Sequence, residues 1–479
     1  MTRPVRTPGP HWTELVFRLL PFADAASVDL PLPRLLRLSL FQVSVGMAMV
    51  LLNGTLNRVM VVELGTPTWL VALLIAVPLF AAPFRALIGH KSDTHRSVLG
   101  WRRVPYIWFG TLMQFGGLAI MPFALLLLGV PERFEIGLVA ATAAFLLTGI
   151  GFHVTQTAGL ALATDLAPED KRPRAVALLY VMLLVGMMFS AFVIGGILAD
   201  YSATKLVQVI QGCALLTIIL NVTALWKQEA RNPVATAPER QTATFSQIWQ
   251  AFVTDGRNAR LLTAIGIGAA GFAMQDALLE PYGGEILGLS VGATTGLTGA
   301  WALGSLFGFM LSGRALARGW DPLRLAGAGL VVGINAFLLV LFSGPFAAPL
   351  MLYAGALGIG VGLGLFSVGT LMEAMSLAKT ETAGLALGAW GAVQATCAGI
   401  GIAVGGLMRD GVAALMQSGD AAASIAMRAT GYGTVYILEI ALLLVGLAAI
   451  GPLVGHQSRV RAEDEDPLSQ PFGLTEFPT

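Results

Sequence analysis

The amino-acid sequence predicts an all-α membrane protein of twelve transmembrane helices in two six-helix halves, and three observations carry that prediction. Of its 479 residues 56% are hydrophobic and 12% charged, with a mean hydropathy of +0.75, so its natural solvent is lipid. Apolar runs of roughly 20 residues, the length a helix needs to cross a bilayer core, recur along the chain. A polar linker at 227–258, carrying Pro233 and Pro238, divides these runs six and six.

Residues 1–37 are expected to form a cytoplasmic or interfacial arm. They do not read as a signal peptide, because Arg3, Arg6, Glu14, Arg18, Asp24 and Asp29 leave no uninterrupted apolar core. Trp12, Leu15, Val16, Leu19 and Leu20 share one face at helical spacing, which suits a short helix lying in the interface or a plain soluble arm. Pro21, Pro31 and Pro33 end any helix there. The first half is expected over 38–226, with spans near 38–62, 68–89, 104–128, 135–163, 174–200 and 204–226. The second is expected over 259–455, with spans near 259–281, 291–313, 323–343, 348–377, 383–408 and 431–455. A polar, acidic tail, 456–479, with Glu463 to Asp466, is expected to be disordered.

Loop charge sets the orientation. Of the 29 Lys and Arg residues, Arg133, Lys205, Arg409 and Arg428 fall in outer loops and Arg58 and Arg85 within spans; the rest lie on the side of the N-terminus. Both termini are therefore expected in the cytoplasm. Arg58 and Arg85 sit near opposite membrane faces and are expected to snorkel. Trp69, Trp101, Tyr106 and Trp108, near span ends, read as interface anchors.

The halves resemble each other. Gly149-Ile-Gly-Phe in the fourth span matches Gly360-Val-Gly-Leu in the tenth, and Leu160 and Ala175 fall opposite Leu371 and Ala386 at the same offset. In the first and seventh spans Asn53, Asn57 and Leu64-Gly65 fall opposite Asp276, Glu280 and Leu287-Gly288. A parallel repeat of six-helix halves is the architecture of major facilitator transporters. The loop after the second span, Gly89-His-Lys-Ser-Asp93 and then Gly100-Trp-Arg102-Arg103, resembles the facilitator loop motif with a longer spacing. Gly89 permits close helix approach, while Asp93, Arg102 and Arg103 can latch a helix end in one conformer. A shortened echo, Gly313-Arg-Ala-Leu-Ala-Arg318-Gly-Trp, follows the eighth span.

Other chemistries are set aside. A formal net charge of +1 does not suggest nucleic acid as a partner. Cys213 and Cys397 lie within apolar runs, as packing residues rather than a disulfide framework or thiolate metal site. The sequence has no Walker phosphate loop, dinucleotide fingerprint or metalloprotease His pair, and no enzymatic activity is expected.

Five stretches narrow the reading: Leu35-Leu-Arg-Leu-Ser-Leu-Phe-Gln-Val-Ser-Val-Gly46, Leu56-Asn-Arg-Val-Met60, Pro83-Phe-Arg-Ala86, Gly100-Trp-Arg-Arg-Val-Pro-Tyr106 and Gln275-Asp-Ala-Leu-Leu-Glu-Pro-Tyr-Gly-Gly284. With them the chain, from about Leu30 to Gly455, resembles the PucC and LhaA family of purple bacteria, the bacteriochlorophyll delivery branch of the major facilitator superfamily. The arm, with Leu20-Pro-Phe-Ala-Asp-Ala-Ala, leans toward LhaA, the light-harvesting 1 assembly branch. The resemblance implies an assembly factor that binds bacteriochlorophyll as cargo or delivers it to light-harvesting antenna polypeptides in the bacterial inner or intracytoplasmic photosynthetic membrane. The reaction centre and pigment-synthesis enzymes are further partners it implies. A proton-coupled carrier of a small solute and a pigment-free scaffold for antenna helices are the alternatives.

The candidate site residues are polar groups inside spans, costly there and so candidates for function. The stretch Phe145 to Ala177 carries His153 and Gln156 in the fourth span and exits into a charged loop, Asp165 to Arg174. His153 is the one histidine within a span; its imidazole either ligates the Mg of a pigment axially, fixed by Gln156 or Thr157, or hydrogen-bonds a neighbouring helix. Gly149 and Gly151 would leave room for a flat ring beside it. Asp276 and Glu280 share one face of the seventh span at i and i+4, near its outer end. They could bind a proton, hydrogen-bond a macrocycle, reach its Mg or, for Glu280, cap backbone before Pro281. Glu373 is expected to pair with Lys379 or with loop bases.

Overall fold

A computed structural model describes residues 30–80, 101, 103–168, 171–229, 256–376, 383–415 and 421–454, and every regular element among them is helical. In the first half α1 (Leu32–Leu38) leads into α2 (Leu40–Met49), which runs on through π-helical turns at Val50–Leu56 and Val59–Glu63. Then come α3 (Thr68–Phe80), α4 (Val104–Leu128), α5 (Phe134–Leu166), α6 (Arg172–Ile197) and α7 (Ala203–Leu225). The second half holds α8 (Gly256–Ala273), a 3-10 turn Met274–Ala277, α9 (Leu279–Glu285), α10 (Val291–Ala317), α11 (Pro322–Ser343), α12 (Pro349–Ser376), α13 (Ala383–Leu415) and α14 (Ala421–Ile450). Among the described residues 11 helical runs are long and apolar enough to cross a membrane, and α3 is a shorter apolar helix where the second span was expected.

Two large apolar clusters fill the bundle, the first centred on the first half and reaching Ala273, Ala277, Val291, Ala302 and Ile402 of the second. Leu51, Met121, Phe145 and Ile210 belong to the first cluster; Phe272, Phe337, Phe366 and Tyr436 belong to the second cluster. In lipid, helices gain little from burying apolar surface against one another, so close packing of small residues has to hold them. The repeated Gly-x-Gly does this in both halves. Gly149 lies on Pro78 of α3 and Gly151 on Gly110 and Gln114 of α4; Gly360 lies on Trp301 of α10 and Gly362 on Gly329 and Gly333 of α11. A Cβ at Gly151 would stand 2.4 Å from Gln114 N, and one at Gly360 2.1 Å from Trp301 O. The turn glycines of the repeat also match, Gly65 at φ 64° and Gly288 at φ 66°, a left-handed conformation that side chains disfavour.

The end of the arm is part of the bundle. Arg34 donates to Gln228 through Nε (3.1 Å, to Oε1) and Nη2 (2.7 Å, to the main-chain O), and Gln228 Nε2 returns a bond to Arg34 O at 3.2 Å. Arg37 Nη2 reaches Trp226 O at 2.9 Å. The halves meet where α6 packs on α10 and α3 on α13, and where α2 faces the broken seventh span.

Candidate functional site

The seventh span does not run unbroken, which corrects the expected continuous helix. Pro281 supplies the reason: in a helix continued from α8 its ring would strike the carbonyl of Ala277, whereas in the first turn of a new helix its missing N–H leaves nothing unsatisfied. Asp276 and Glu280 therefore stand on separate pieces rather than on one helix face, and they turn to different partners. Asp276, part-exposed, accepts from Gln275 Nε2 through Oδ1. Glu280, 3% exposed, accepts from Thr298 of α10 through Oε1, and its Oε2 has no hydrogen-bond partner among the described residues.

The residues that the repeat pairs with these come to the same place. Asn57 Nδ2 donates to the main-chain oxygens of Asn53 and Asp276, each at 3.1 Å. Gly54 faces Glu280 so closely that a Cβ would stand 2.4 Å from Oε1. Thr55 and Thr295 pair their hydroxyls at 3.1 Å. Further along the first span Arg58, expected to snorkel, is instead 5% exposed: it pairs with Glu63 and donates to Leu289 O at 3.1 Å. Tyr201, in the loop before α7, has its phenol pushed above the ordinary value by burial first and by Glu63 second, with Arg58 opposing.

A second polar cluster closes the seam. Arg409 at the end of α13 pairs with Glu285 and, at 2.6 Å, with Asp410, and its Cζ stands 4.7 Å from the centroid of the Tyr432 ring. Tyr432 Oη donates to Glu285 Oε2 at 3.1 Å. Asp410 accepts from Trp69 N at 2.8 Å, a bond from the second half to the first turn of α3. A cleft of about 360 Å³, lined by Thr66, Thr68, Glu285, Arg409 and Arg428 among others, adjoins the cluster.

His153 and Gln156 lie in the first half, on α5. Gln156 Nε2 donates to Gln42 Oε1 of α2 at 3.3 Å. The His153 ring stands 4.5 Å from that of Phe152, centroid to centroid, and is 6% exposed, with both nitrogens shielded from solvent. In this conformer a macrocycle does not fit against them unless their neighbours move. Of the expected latch, Gly89, Asp93 and Arg102 lie outside the described residues, as do Arg85 and Lys379. Arg103 donates through Nε to Asp165 at 2.9 Å, and Glu229 accepts from its backbone N–H and that of Val104. Glu373 pairs at 2.9 Å with Arg257, one of the bases expected on the N-terminal side.

Sequence reading missed Glu439. It is fully buried in α14, inside the run Val435-Tyr-Ile-Leu-Glu439-Ile-Ala-Leu. The rule that singled out Asp276 and Glu280, an acid inside a span, applies to it equally.

Comparison with known proteins places the chain. The family described as PUCC protein matches residues 55–458. The chain belongs to the PUCC protein family. This family member is 51% identical over 469 residues to a Rhodobacter capsulatus protein named as the uncharacterized protein in the puhA-bchM intergenic region, covering 97% of this chain and 98% of the relative. It is 56% identical over 406 residues to Protein PucC of Rhodovulum sulfidophilum, covering 82% and 89%. A more distant relative, at 28% identity over 426 residues, is the bacteriochlorophyll synthase 44.5 kDa chain of Rhodobacter capsulatus, covering 86% and 93%. In fold this PUCC member is similar to the nucleoside transporter NupG, with a TM-score of 0.63 at 14% identity over 87% of this chain and 99% of that one. It is a membrane protein with the major facilitator fold.

Proposed function

We propose that this chain is an assembly factor for the photosynthetic light-harvesting antenna, light-harvesting 1 in particular, which binds bacteriochlorophyll and hands it to antenna polypeptides. It works in the bacterial inner or intracytoplasmic photosynthetic membrane with both termini in the cytoplasm, and no enzymatic step is assigned to it. The observation that carries this reading is the family match over 55–458. The relative named for bacteriochlorophyll synthase supports the pigment. The bundle presents Phe109, Phe123, Phe189 and Phe192 outward, at 61%, 65%, 66% and 54% exposure, and such aromatic faces suit a flat apolar cargo arriving through lipid. The light-harvesting 1 branch rests on the arm motif alone, since relatives named PucC are as similar to the chain as the intergenic-region protein is.

The test is gentle purification from a pigment-making host, followed by absorbance and by antenna content in cells lacking the protein. Near-infrared bands that copurify, and antenna loss in the deletion, are the expected results; a colourless protein with normal antenna sinks the reading. A second reading, a proton-coupled carrier of a small solute, is favoured by the transporter fold and by the acids in the seam. Solute uptake by a colourless protein in vesicles would select it. A colourless protein that still captures antenna helices would instead be a pigment-free scaffold.

A further inference from the structure

Glu439 is used by nothing described so far. It is 0% exposed, and among the described residues neither carboxylate oxygen has a hydrogen-bond partner of good geometry. Helices α8, α11 and α13 and the turn Met274–Ala277 pack against α14. The turn carries Gln275 and Asp276 to the face of α14 that it packs on, where the Gln275 backbone N–H and the Asp276 carboxyl act on Glu439, and Tyr436 stands one turn earlier on its own helix. Among the described residues no cation faces it. An ionised carboxylate placed so, in hydrocarbon and without a counter-charge, is costly, and a second acid on the turn packed against α14 raises that cost. Asp276 is the part-exposed partner, which gives protons a way in. Asp276 is also the residue whose main-chain oxygen holds Asn57 of the first half.

We propose that Glu439 and Asp276 form one proton-binding site, walled by the break in the seventh span, and that the proton it holds keeps the outer seam between the halves closed. With the proton bound, the two carboxyls tolerate each other and the 3-10 turn stays where Asp276 O meets Asn57. When it leaves, the two negative charges repel, the turn shifts, and the bond across the seam is lost. Broken transmembrane helices are soft enough to move in this way, because their backbone groups are already partly outside the helical ladder.

The experiment uses the full chain in lipid nanodiscs, with the native cysteines replaced by alanine and spin labels on Glu132→Cys and Phe346→Cys, both exposed at the outer ends of different halves. Raising the pH is expected to lengthen the label distance and to remove the infrared carbonyl band of a protonated buried acid. Glu439→Gln, which copies the protonated form, is expected to lack that band and to hold the short distance at every pH. Asp276→Asn serves as the second variant and is expected to lose the pH response as well. The same pH course in either variant as in the unsubstituted chain overturns the proposal, as does a response set by sodium at constant pH.

Discussion

The side-chain amide of Asn57 donates to the main-chain oxygen of Asp276 at 3.1 Å, joining the first span of one half to the broken seventh span of the other. That oxygen is available because the helix is interrupted there; in an unbroken helix it would be spent on the N–H four residues on, which is Glu280. The break thus turns a backbone group into a fastening between halves. Asn57→Leu removes the donor, and a buried hydrogen bond in such a setting contributes about 1 kcal/mol. The conformer in which this bond joins the halves should lose roughly a factor of five in population, read as faster labelling of single cysteines at Thr66 and Leu287, and unchanged labelling would show that the bond holds nothing.

Gly54 and Gly151 should respond differently to alanine. At Gly54 the new Cβ meets only side-chain ends, 2.4 Å from Glu280 Oε1 and 2.8 Å from Thr298 Oγ1, so Glu280 can swing away and give up that one bond. The expected loss is about 1 kcal/mol, largely absent when Glu280→Ala is made in the same chain. At Gly151 the Cβ meets the backbone of α4, 2.4 Å from Gln114 N and 2.7 Å from Gly110 O, and a helix must move. There the loss should reach roughly 3 kcal/mol with no rescue by a side-chain truncation. Thermal unfolding of these variants in detergent, with Glu280→Ala alone as the reference for the double change, decides it; equal losses would mean the seam at Gly54 is as rigid as the α4–α5 contact.

Arg409 serves two acids and an aromatic face at once. Arg409→Gln leaves Glu285 and Asp410 without their cation in a part-buried site, and breaking such a cluster costs about 3 kcal/mol or more. Arg409→Lys keeps the charge but cannot fork between two carboxylates while lying flat on Tyr432, so it should recover less than half of the loss. A thermal midpoint for lysine equal to that of arginine would reduce the cluster to a matter of net charge.

Much of the architecture was legible from residues alone because it depends on quantities a sequence carries directly. Apolar run length gave the spans, loop charge gave an expected orientation, and the matched Gly-x-Gly pairs were visible as a repeat before their contacts were known. The break at Met274–Ala277 was harder, since hydropathy measures apolarity and is blind to hydrogen-bond continuity; Pro281, four residues after Ala277, was the signal. The π turns of the first span leave no trace in hydropathy either. Arg58 was expected to snorkel because its span was read alone, and Leu289 O, which it reaches, lies far along the chain. Arg409 with Glu285 could not be paired in advance for the same reason.

His153 was weighed as an axial ligand to a pigment Mg and as a partner for a neighbouring helix, and its surroundings bear on the first. Its ring is enclosed against Phe152 with both nitrogens shielded, while Gln156, one turn on, is hydrogen-bonded to Gln42 of α2. A ligand nitrogen must point its lone pair at open space large enough for a macrocycle, and this one does not in the present conformer. Replacing the imidazole with leucine should therefore act on packing between α5 and its neighbours and lower stability by about 1–3 kcal/mol. Bacteriochlorophyll bound per protein, and the position of its red band, should match the unsubstituted chain. Purifying His153→Leu beside that chain and comparing both quantities is the measurement: loss of pigment or a shifted band in a variant that still folds would make His153 a ligand, and would require the α5 seam to open when cargo arrives.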